Sequence, residues 1–342
     1  MKSHFSFQLH ITDKCDLRCK HCYLWHTGAI NSTMNLDNLE VVVTNCLKMC
    51  EKINRTPIFY ITGGDPILHE DFWDLCESLK NKKLEFSILG NSFHLTDDVC
   101  KKLVDHGCKN YQLSIDGMER THDSIRARGS FKDTIEKISV IKKAGMKCHI
   151  MTTISKTNMY ELLEIIDLVV TNDVDVFSFA RHCKEKNEKG DTILPDEYRD
   201  LLDKCYKKFD ECSGCHTTFS LKDHLWTLYL YEEGLFTIDE NLDKDIIYDG
   251  CNCGNCHMTI LPTGDVYACR RFSSKVGNVF QDNMYDIFIG YEMENYRNFD
   301  RFEKCSQCEL LRFCRGCPAV AYSEYGNYYS PDPQCWKTIV QK

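Results

Sequence analysis

Residues 5–22, FSFQLHITDKCDLRCKHC, join an alternating apolar run to a loop that carries three cysteines. The alternation over Phe5–Ile11 predicts a β-strand with one buried face. The thiolates of Cys15, Cys19 and Cys22 can hold three irons of a cubane cluster, which leaves the fourth iron without a protein ligand. An open coordination position is typical of chemistry rather than of storage. The spacing alone leaves a chance group of free thiols as the alternative.

Strand and helix patterns alternate along the part of the chain that follows. Five more strands are predicted at Pro57–Thr62, Leu84–Gly90, Asn110–Ile115, Lys147–Ile154 and Val174–Ala180. Helical patterns lie between them at Leu36–Ile53, Glu70–Asn81, Thr96–His106, Phe131–Gly145 and Asn158–Asn172. Consecutive strand–helix units form parallel strands with right-handed crossovers. We therefore expect an incomplete (β/α) barrel or an open α/β sheet, with the chemistry at the carboxyl ends of the strands.

Composition and charge exclude several classes of protein. The 342 residues carry 42 Lys and Arg against 51 Asp and Glu, and the net charge of -9 argues against binding to nucleic acid or to a membrane surface. No apolar run reaches the roughly 18 residues of a membrane span. The N-terminal residues contain no apolar stretch of the kind found in secretory signals. These features predict a soluble cytoplasmic protein.

The chain contains 22 cysteines, and nine of them lie in residues 251–342. A cytoplasmic chain of this length is expected to use many of its cysteines as metal ligands. We predict a first unit over residues 1–200, a charged helical connector over 201–249 and a small cysteine-rich unit over 250–342. A short hairpin is predicted within 259–268 of the last unit.

The cysteines of the last unit have a more specific spacing than the first three. The pattern C-x2-C-x5-C-x2-C-x17-C is formed by Cys305, Cys308, Cys314, Cys317 and Cys335. Upstream of it lie Cys251, Cys253, Cys256 and Cys269. The two C-x2-C pairs could also be the halves of a tetrahedral zinc site, and spacing alone leaves that reading open.

The C-x3-C-x2-C loop after the first strand resembles the signature of radical S-adenosylmethionine (SAM) enzymes. His21 takes the position before the third cysteine that the family usually fills with an aromatic residue. The resemblance implies a partial (β/α)6 barrel whose open iron binds the amino and carboxylate groups of SAM. It also implies that a low-potential electron, from a flavodoxin or ferredoxin, cleaves SAM to a 5′-deoxyadenosyl radical.

The resemblance continues at the ends of the later strands. Gly63-Gly64-Asp65-Pro66 is similar to the family's Gly-Gly-Glu-Pro motif, which contacts the SAM amino group, with Asp in place of Glu. Further matches to positions that contact the ribose or the carboxylate of SAM are Asn91, Ser114, Asp116 and Arg126. Each residue alone could be an ordinary turn or surface residue, but four successive strand ends match.

The C-terminal pattern resembles the SPASM domain, which carries two auxiliary iron–sulfur clusters. The resemblance implies that the outer cluster uses Cys305, Cys308, Cys314 and Cys335. For the inner cluster it implies Cys269, Cys317 and two of Cys251, Cys253 and Cys256. Of these three, Cys251 fits the first ligand best, Cys256 is our choice for the second, and Cys253 is the alternative. With the barrel cluster, three [4Fe-4S] clusters are expected. Because the chain also carries the barrel signature, iron–sulfur clusters are favoured over a zinc ion as the metal bound by these cysteines.

SPASM-type radical SAM enzymes mostly modify peptides or proteins. Sulfatase-maturating members have an Asp after the cysteine that matches Cys269, whereas this chain has Arg270, so a base is missing there. The sequence Cys269-Arg270-Arg271 is more similar to maturases of small ribosomal peptides. We predict such a maturase, with a thioether bond from Cys sulfur to carbon as the favoured reaction. Only 14 residues precede Cys15, so a leader peptide, if used, is expected to be read by a separate protein or by the barrel.

Other functions stay open at this point. They are a C–C crosslinking or epimerising peptide maturase, a radical SAM enzyme acting on a small-molecule cofactor precursor such as a tetrapyrrole, and a non-enzymatic electron carrier or zinc scaffold. No catalytic acid or base can be named from the sequence. The pair Cys212-x2-Cys215 is read as a chance spacing, and Cys183 as one of several core or surface thiols.

Overall fold

The protein is described by a computed structural model over residues 3–26, 32–184, 192–239, 241–243 and 246–339, without the side chains of residues 25 and 26. Six parallel strands form its first part: β1 (His4–Thr12), β2 (Thr56–Gly63), β3 (Phe86–Leu89), β4 (Cys108–Ser114), β5 (Lys147–Ile154) and β6 (Val176–Arg181). The helices there are α1 (Tyr23–His26), α2 (Leu36–Lys52), α3 (Phe72–Asn81), α4 (Asp97–Asp105), α5 (Glu119–Ile125), α6 (Ser130–Ala144) and α7 (Leu162–Thr171).

The second part of the chain is built from shorter elements. Its strands are β7 (Thr218–Ser220), β8 (His257–Ile260), β9 (Asp265–Tyr267) and β10 (Lys275–Asn278). Its helices are α8 (Pro195–Glu211), α9 (Leu225–Glu232), α10 (Met284–Ile289), α11 (Tyr291–Glu294) and α12 (Pro318–Tyr325). The predicted division at residues 200 and 250 stays a prediction.

Over the described residues the strands form one sheet, in the order β10-β9-β8-β1-β2-β3-β4-β5-β6-β7. Neighbouring strands from β1 to β7 are parallel. Because β1 pairs with β2 and β8 and not with β6, the barrel is open. The prediction of a partial (β/α)6 barrel is confirmed. The three-residue strand β7 was not predicted, because a segment so short carries no readable alternation.

Residue alternation in β1 explains why this strand forms. Phe5, Phe7, Leu9 and Ile11 are buried in the core that lies between the sheet and the helices. Burial of each such side chain stabilises the fold by about 1.5–3 kcal/mol. The residues between them, Ser6, Gln8 and His10, are polar and lie on the opposite face of the strand.

Helix ends follow the predicted local signals. The Thr96 hydroxyl accepts a hydrogen bond from the Val99 N–H at 3.2 Å and so caps the start of α4. Gly145 ends α6 in the left-handed region, with φ of +99°. These caps fix the lengths of two helices that pack on the outer face of the sheet.

The cysteine-rich part shares the barrel sheet. Strand β8 runs parallel to β1, with Ser6 opposite His257. Strands β8 and β9 form the predicted hairpin, which turns at Gly264, where φ is +81°. Within the described residues, no helix is both long enough and apolar enough to cross a bilayer.

A buried arginine ties three parts of the chain together. Arg181, at the end of β6, is 2% exposed and donates to both carboxylate oxygens of Asp223 at 2.9 and 3.1 Å. It also donates to both oxygens of Asp332 at 2.6 and 2.8 Å and to Gln334 at 2.8 Å. We call these four residues the Arg181 clamp. It fixes the connector and the C-terminal segment to the mouth of the barrel.

Candidate active site

A cavity of about 290 Å³ opens at the carboxyl ends of the barrel strands, where this architecture places chemistry. Among the predicted residues, its lining includes Cys19, His21, Cys22, Gly63, Gly64, Asn91, Ser114 and Arg126. A larger cavity of about 450 Å³ lies beside Arg55 and residues 246–252, and no predicted SAM-binding residue lines it. We therefore take the smaller cavity as the candidate site.

The three-cysteine loop lies at this cavity with hydrogen-bond donors around its sulfurs. The Asn91 side-chain amide donates to the Cys15 sulfur at 3.2 Å, and the Arg126 guanidinium lies 3.8 Å from the Cys19 sulfur. Burial raises the pKa of both thiols. Metal binding offsets this effect because it favours the thiolate, and the neighbouring donors stabilise the same form. The loop therefore fits an iron–sulfur cluster.

Both glycines after β2 pack against the root of the cysteine loop. A Cβ on Gly63 would lie 2.1 Å from the Thr12 carbonyl oxygen, and one on Gly64 would lie 2.1 Å from that of Lys14. The Gly64 N–H donates to the Thr12 carbonyl at 2.7 Å, and the Asp65 N–H donates to that of Lys14 at the same distance. Glycine is needed here because the backbone of β2 touches the loop. The motif thus positions the cysteine loop as well as lining the cavity.

Asp65 presents a buried carboxylate without a good hydrogen-bond partner. It is 0% exposed, and neither oxygen has a partner of normal geometry in the described part of the chain. Burial raises its pKa to about 6, although backbone N–H groups nearby and His94 oppose the rise. A ligand ammonium would satisfy this carboxylate. The orphaned oxygens fit the predicted role of Asp65 towards the amino group of SAM, but Asp65 is not among the residues that line the cavity, so that role stays a prediction.

Asp116 lies behind the cavity wall and holds Arg126. The Arg126 Nε donates to Asp116 Oδ2 at 2.6 Å, and the Thr153 N–H donates to Oδ1 at 2.8 Å. Burial would raise the pKa of Asp116, but Arg126 and His21 hold it below its ordinary value. Burial lowers the pKa of His21 to about 4, so its imidazole is neutral at pH 7. Asp116 is completely buried and does not line the cavity, which differs from the expected direct contact with SAM. Its position suits it to orient Arg126.

Four cysteines of the C-terminal segment line one small apolar cavity. We call them the outer thiol group: Cys305, Cys308, Cys314 and Cys335. They are the four that the resemblance assigned to the outer cluster. Burial raises the pKa of Cys305 and of Cys314, to beyond the ordinary thiol range in both cases. The structure brings all four together without Cys317.

A second group of cysteines lies between the first group and the barrel. We call it the inner thiol group: Cys251, Cys253, Cys269 and Cys317. Cationic side chains surround it. Arg271 lies 3.6 Å from the Cys317 sulfur, and Arg315 donates to the Cys251 carbonyl at 2.7 Å. These charges favour thiolates, which is the form that binds iron.

The surroundings of Cys253 and Cys256 differ. The charges of Cys251, Cys269 and Cys317 all act on the buried Cys253 thiol. The Cys256 thiol donates to Asn252 Oδ1 at 3.1 Å and, like Cys251, lines the larger cavity. We therefore place Cys253, the alternative from the sequence, in the inner thiol group, and its choice over Cys256 stays a prediction. Spacing could not separate the two, because the local turn decides which thiol faces its partners.

The two thiol groups divide the C-x2-C pair at residues 314 and 317. Cys314 joins the outer thiol group and Cys317 the inner one. Because the two C-x2-C pairs do not stay together, the division argues against one zinc ion bound by both pairs. Each group offers four thiols, which fits the expected auxiliary iron–sulfur clusters.

Among the wall residues that sequence reasoning did not place at the site are Lys222, Arg271 and Cys183. The Cys183 thiol forms a hydrogen bond with Cys317, so it lies at a site rather than being an ordinary core thiol. Arg271 had been noted only as part of Cys269-Arg270-Arg271, and no motif marks Lys222 or Cys183. The three come from the loop after β9, the connector and the end of β6. Only the fold brings them to one wall.

Comparison with known families agrees with this geometry. The radical SAM superfamily matches residues 9–169, and an iron–sulfur cluster-binding domain, SPASM, matches residues 251–309. The first match contains the three-cysteine loop and the Gly63-Gly64-Asp65 motif, and the second contains most of the inner thiol group. The chain is therefore a radical SAM enzyme with a C-terminal SPASM domain.

Individual relatives fall into two kinds. AdoMet-dependent heme synthase of Nitratidesulfovibrio vulgaris is 25% identical over 95% of this chain and 90% of its own. Mycofactocin maturase MftC of Mycolicibacterium smegmatis is 24% identical over 76% of this chain and 62% of its own. The crystal structure of Streptococcus suis SuiB bound to SAM superposes with a TM-score of 0.75 at 21% identity, covering 98% of this chain and 77% of SuiB. SuiB was also solved with its precursor peptide SuiA. The chain is thus related both to a heme synthase and to peptide maturases.

Proposed function

We propose that this protein is a cytoplasmic radical SAM maturase of a ribosomally made peptide, with thioether crosslinking as its favoured reaction. One observation carries the proposal: the candidate cavity is lined by the three-cysteine loop and by residues that contact the inner thiol group. Cys19 and Cys22 line it on one side, and Cys183 and Arg271 line it on the side of the inner thiol group. A substrate in this cavity would lie between the site of SAM cleavage and an electron acceptor.

The ligand assignments follow from the groups described above. Three [4Fe-4S] clusters would be held by the Cys15–Cys19–Cys22 loop, the outer thiol group and the inner thiol group. When bound, the clusters and SAM supply a hydrogen-abstracting radical and a place for the released electron. Asp65 would accept the SAM ammonium, and Arg126, oriented by Asp116, would contact its carboxylate. Gly63, Gly64, Asn91 and Ser114 would line the SAM site, with His21 beside the cluster.

The thioether step balances with these parts. The substrate loses one hydrogen atom from carbon, one proton from sulfur and one electron, and a C–S bond forms. SAM, when bound, would supply the fragment that takes the hydrogen atom, and an auxiliary cluster, when bound, would take the electron, while the thiol proton would be released to solvent. The inner thiol group would hold the accepting cluster beside the cavity wall. The product is about 2 Da lighter for each crosslink.

The proposed partners are a peptide substrate, a low-potential flavodoxin or ferredoxin and, where a leader peptide is used, a separate leader-binding protein. The relation to MftC and the fold shared with SuiB support a peptide substrate. C–C crosslinking and epimerisation would use the same cavity and differ in the mass of the product. Sulfatase maturation is disfavoured because Arg270 is buried against the Tyr23 ring, 4.7 Å from its centroid, where a base would be needed.

A tetrapyrrole is the second candidate substrate. The heme synthase relative, which aligns over nearly the whole chain, favours it. A porphyrin carries propionates, and the cavity wall formed by Lys222 and Arg271 is cationic. The two candidates are distinguished by the molecule that the loaded enzyme converts.

The test begins with anaerobic reconstitution of the full chain and a count of iron and sulfide. We expect about 12 irons per chain and 5′-deoxyadenosine from SAM and dithionite. Short precursor peptides encoded beside the gene and coproporphyrin III are then offered separately. A Cys-containing peptide product lighter by about 2 Da supports the proposal. An unchanged mass would refute crosslinking, conversion of the porphyrin alone would favour the tetrapyrrole, and iron without SAM cleavage would favour an electron carrier.

A further inference from the structure

Lys222 places an ammonium group in the candidate cavity without an acidic partner. The residue follows β7 and lines the cavity on the side of the inner thiol group. Its Nζ has the Met151 sulfur as a neighbour at 3.8 Å, and no carboxylate pairs with it within the described chain. The Lys222 side chain is solvent-exposed and lines the open side of the cavity. Its charge is therefore directed at whatever occupies the cavity.

The other cations at this cavity are already neutralised. Arg126 is paired with Asp116, and Arg181 lies between Asp223 and Asp332. Lys222 instead faces a second cation, Arg271, whose charge acts on it. Arg271 also faces the Cys317 sulfur, whereas Lys222 has no carboxylate partner in the described chain. An anionic ligand in the cavity would therefore neutralise the Lys222 charge.

The protein holds both cations in place. Asp223, the next residue after Lys222, is fixed by two hydrogen bonds from Arg181. Arg271 donates to the Arg181 carbonyl and lies against the Cys317 sulfur. The backbone at Lys222 and the guanidinium of Arg271 are therefore fixed on the same wall. The described residues that line the cavity include no Asp or Glu, so these two cations favour an anionic ligand.

We infer that Lys222, assisted by Arg271, binds a carboxylate of the substrate. The inference rests on the proposed function only in that the substrate enters this cavity. The carboxylate could belong to an Asp, Glu or C-terminal residue of a peptide, or to a propionate of a porphyrin, and the chemistry of recognition is the same. Lys222 is not expected to bind the SAM carboxylate, because Arg126 and the residues predicted to bind SAM come from the β2–β4 side of the cavity.

The test measures how fast Lys222 is acetylated in the reconstituted enzyme with SAM bound, by peptide mass spectrometry. The probes at 1 mM are a degenerate pentapeptide amide pool with a central Glu, the same pool with Gln, coproporphyrin III and its tetramethyl ester. We expect a carboxylate probe to slow the acetylation of Lys222 about threefold or more, as for a Kd of about 0.5 mM, and its neutral partner to leave the rate unchanged. Lys109, which is exposed on the surface, is the control in every sample.

Each outcome bears on a different statement. Protection by the Glu pool supports both the carboxylate site and a peptide substrate. Protection by coproporphyrin III alone supports the carboxylate site and refutes the peptide maturase. Equal rates with acidic and neutral probes overturn the carboxylate site. Lys222→Gln, checked for unchanged iron content, should keep wild-type affinity for SAM, and a loss of SAM affinity that Lys222→Arg restores would also overturn it.

Discussion

Replacing Arg181 by Met should destabilise the loaded enzyme by about 3–5 kcal/mol. The substitution removes five hydrogen bonds of the Arg181 clamp and leaves Asp223 and Asp332 buried without a cation. Removing one partner of a buried ion pair lowers the free energy of unfolding by about 3–5 kcal/mol, because the remaining charge stays desolvated. At about 2 °C per kcal/mol for a chain of this size, the melting temperature should fall by roughly 6–10 °C.

The effect should also reach the iron content. Asp332 Oδ2 accepts a hydrogen bond from the Cys317 N–H at 2.8 Å, and the Cys335 N–H donates to the Asp332 carbonyl at 3.0 Å. One ligand of each auxiliary thiol group therefore depends on the position of Asp332. We expect Arg181→Met to lose auxiliary iron while the three-cysteine loop of the barrel keeps its own.

The pH dependence of the loss gives a second measurement. Burial would raise the pKa of Asp223, but the charge and hydrogen bonds of Arg181 hold it below its ordinary value. In the wild type this carboxylate therefore contributes stability at neutral pH that is lost on acidification through its folded pKa. In Arg181→Met burial is unopposed, so the folded pKa rises above the unfolded one. The resulting destabilisation is present at high pH and relieved as pH falls.

Anaerobic differential scanning fluorimetry at pH 8 and pH 5.5 checks these statements. The difference in melting temperature between the wild type and Arg181→Met should be smaller at pH 5.5 than at pH 8. Arg181→Lys keeps the charge but cannot form paired hydrogen bonds with two carboxylates. Its melting temperature should therefore lie between those of the wild type and Arg181→Met. Arg181→Met with Asp223→Asn should recover part of the loss, since one unpaired charge is gone. A fall of less than 2 °C with full iron content would refute the role given to the Arg181 clamp.

Three further predictions concern the cofactor sites. Asp65→Asn should weaken SAM binding roughly tenfold or more, yet raise the melting temperature of the SAM-free protein, because a buried unpaired carboxylate is removed. Since burial raises the pKa of Asp65 to about 6, wild-type affinity for SAM should fall as pH drops through that value, and the variant should not show this fall in calorimetry. Cys253→Ala should lose about four irons while Cys256→Ala keeps them, and the opposite result would restore the first ligand choice. Asp116→Asn should raise the Kd for SAM through a displaced Arg126, and unchanged affinity would contradict the positioning role.

The sequence predicted the six barrel strands because each one buries an alternating or continuous apolar run. The outer thiol group was expected from the resemblance to the SPASM domain, since proximity along the chain would have chosen Cys317 before Cys335. The sequence could not choose between Cys253 and Cys256, because both lie within one turn of Cys251 and only the path of that turn separates them. The role of Asp116 was likewise invisible, since a residue at a strand end can face the cavity or lie behind it.

Residues without a motif were beyond sequence reasoning altogether. Lys222 is one of many lysines in a charged connector, and its cavity position depends on the pairing of its neighbour Asp223 with Arg181. Cys183 was grouped with ordinary core thiols because nothing near it in the sequence binds metal. Lys222 and Cys183 can be assigned to the candidate site only in the folded structure, where β6, the connector and the loop after β9 form one wall of the cavity.

The pairing of β1 with β8 has a consequence for biosynthesis. Ser6 faces His257 across this pair, so β1 gains its second neighbour only after some 250 more residues have been made. At 5–20 residues per second this takes roughly 12–50 s. During that interval one edge of β1 is uncovered, next to the loop that carries Cys15. Delivery of iron to that loop is therefore expected to follow synthesis of β8, and truncation before residue 257 would leave this strand edge unpaired and prone to aggregation.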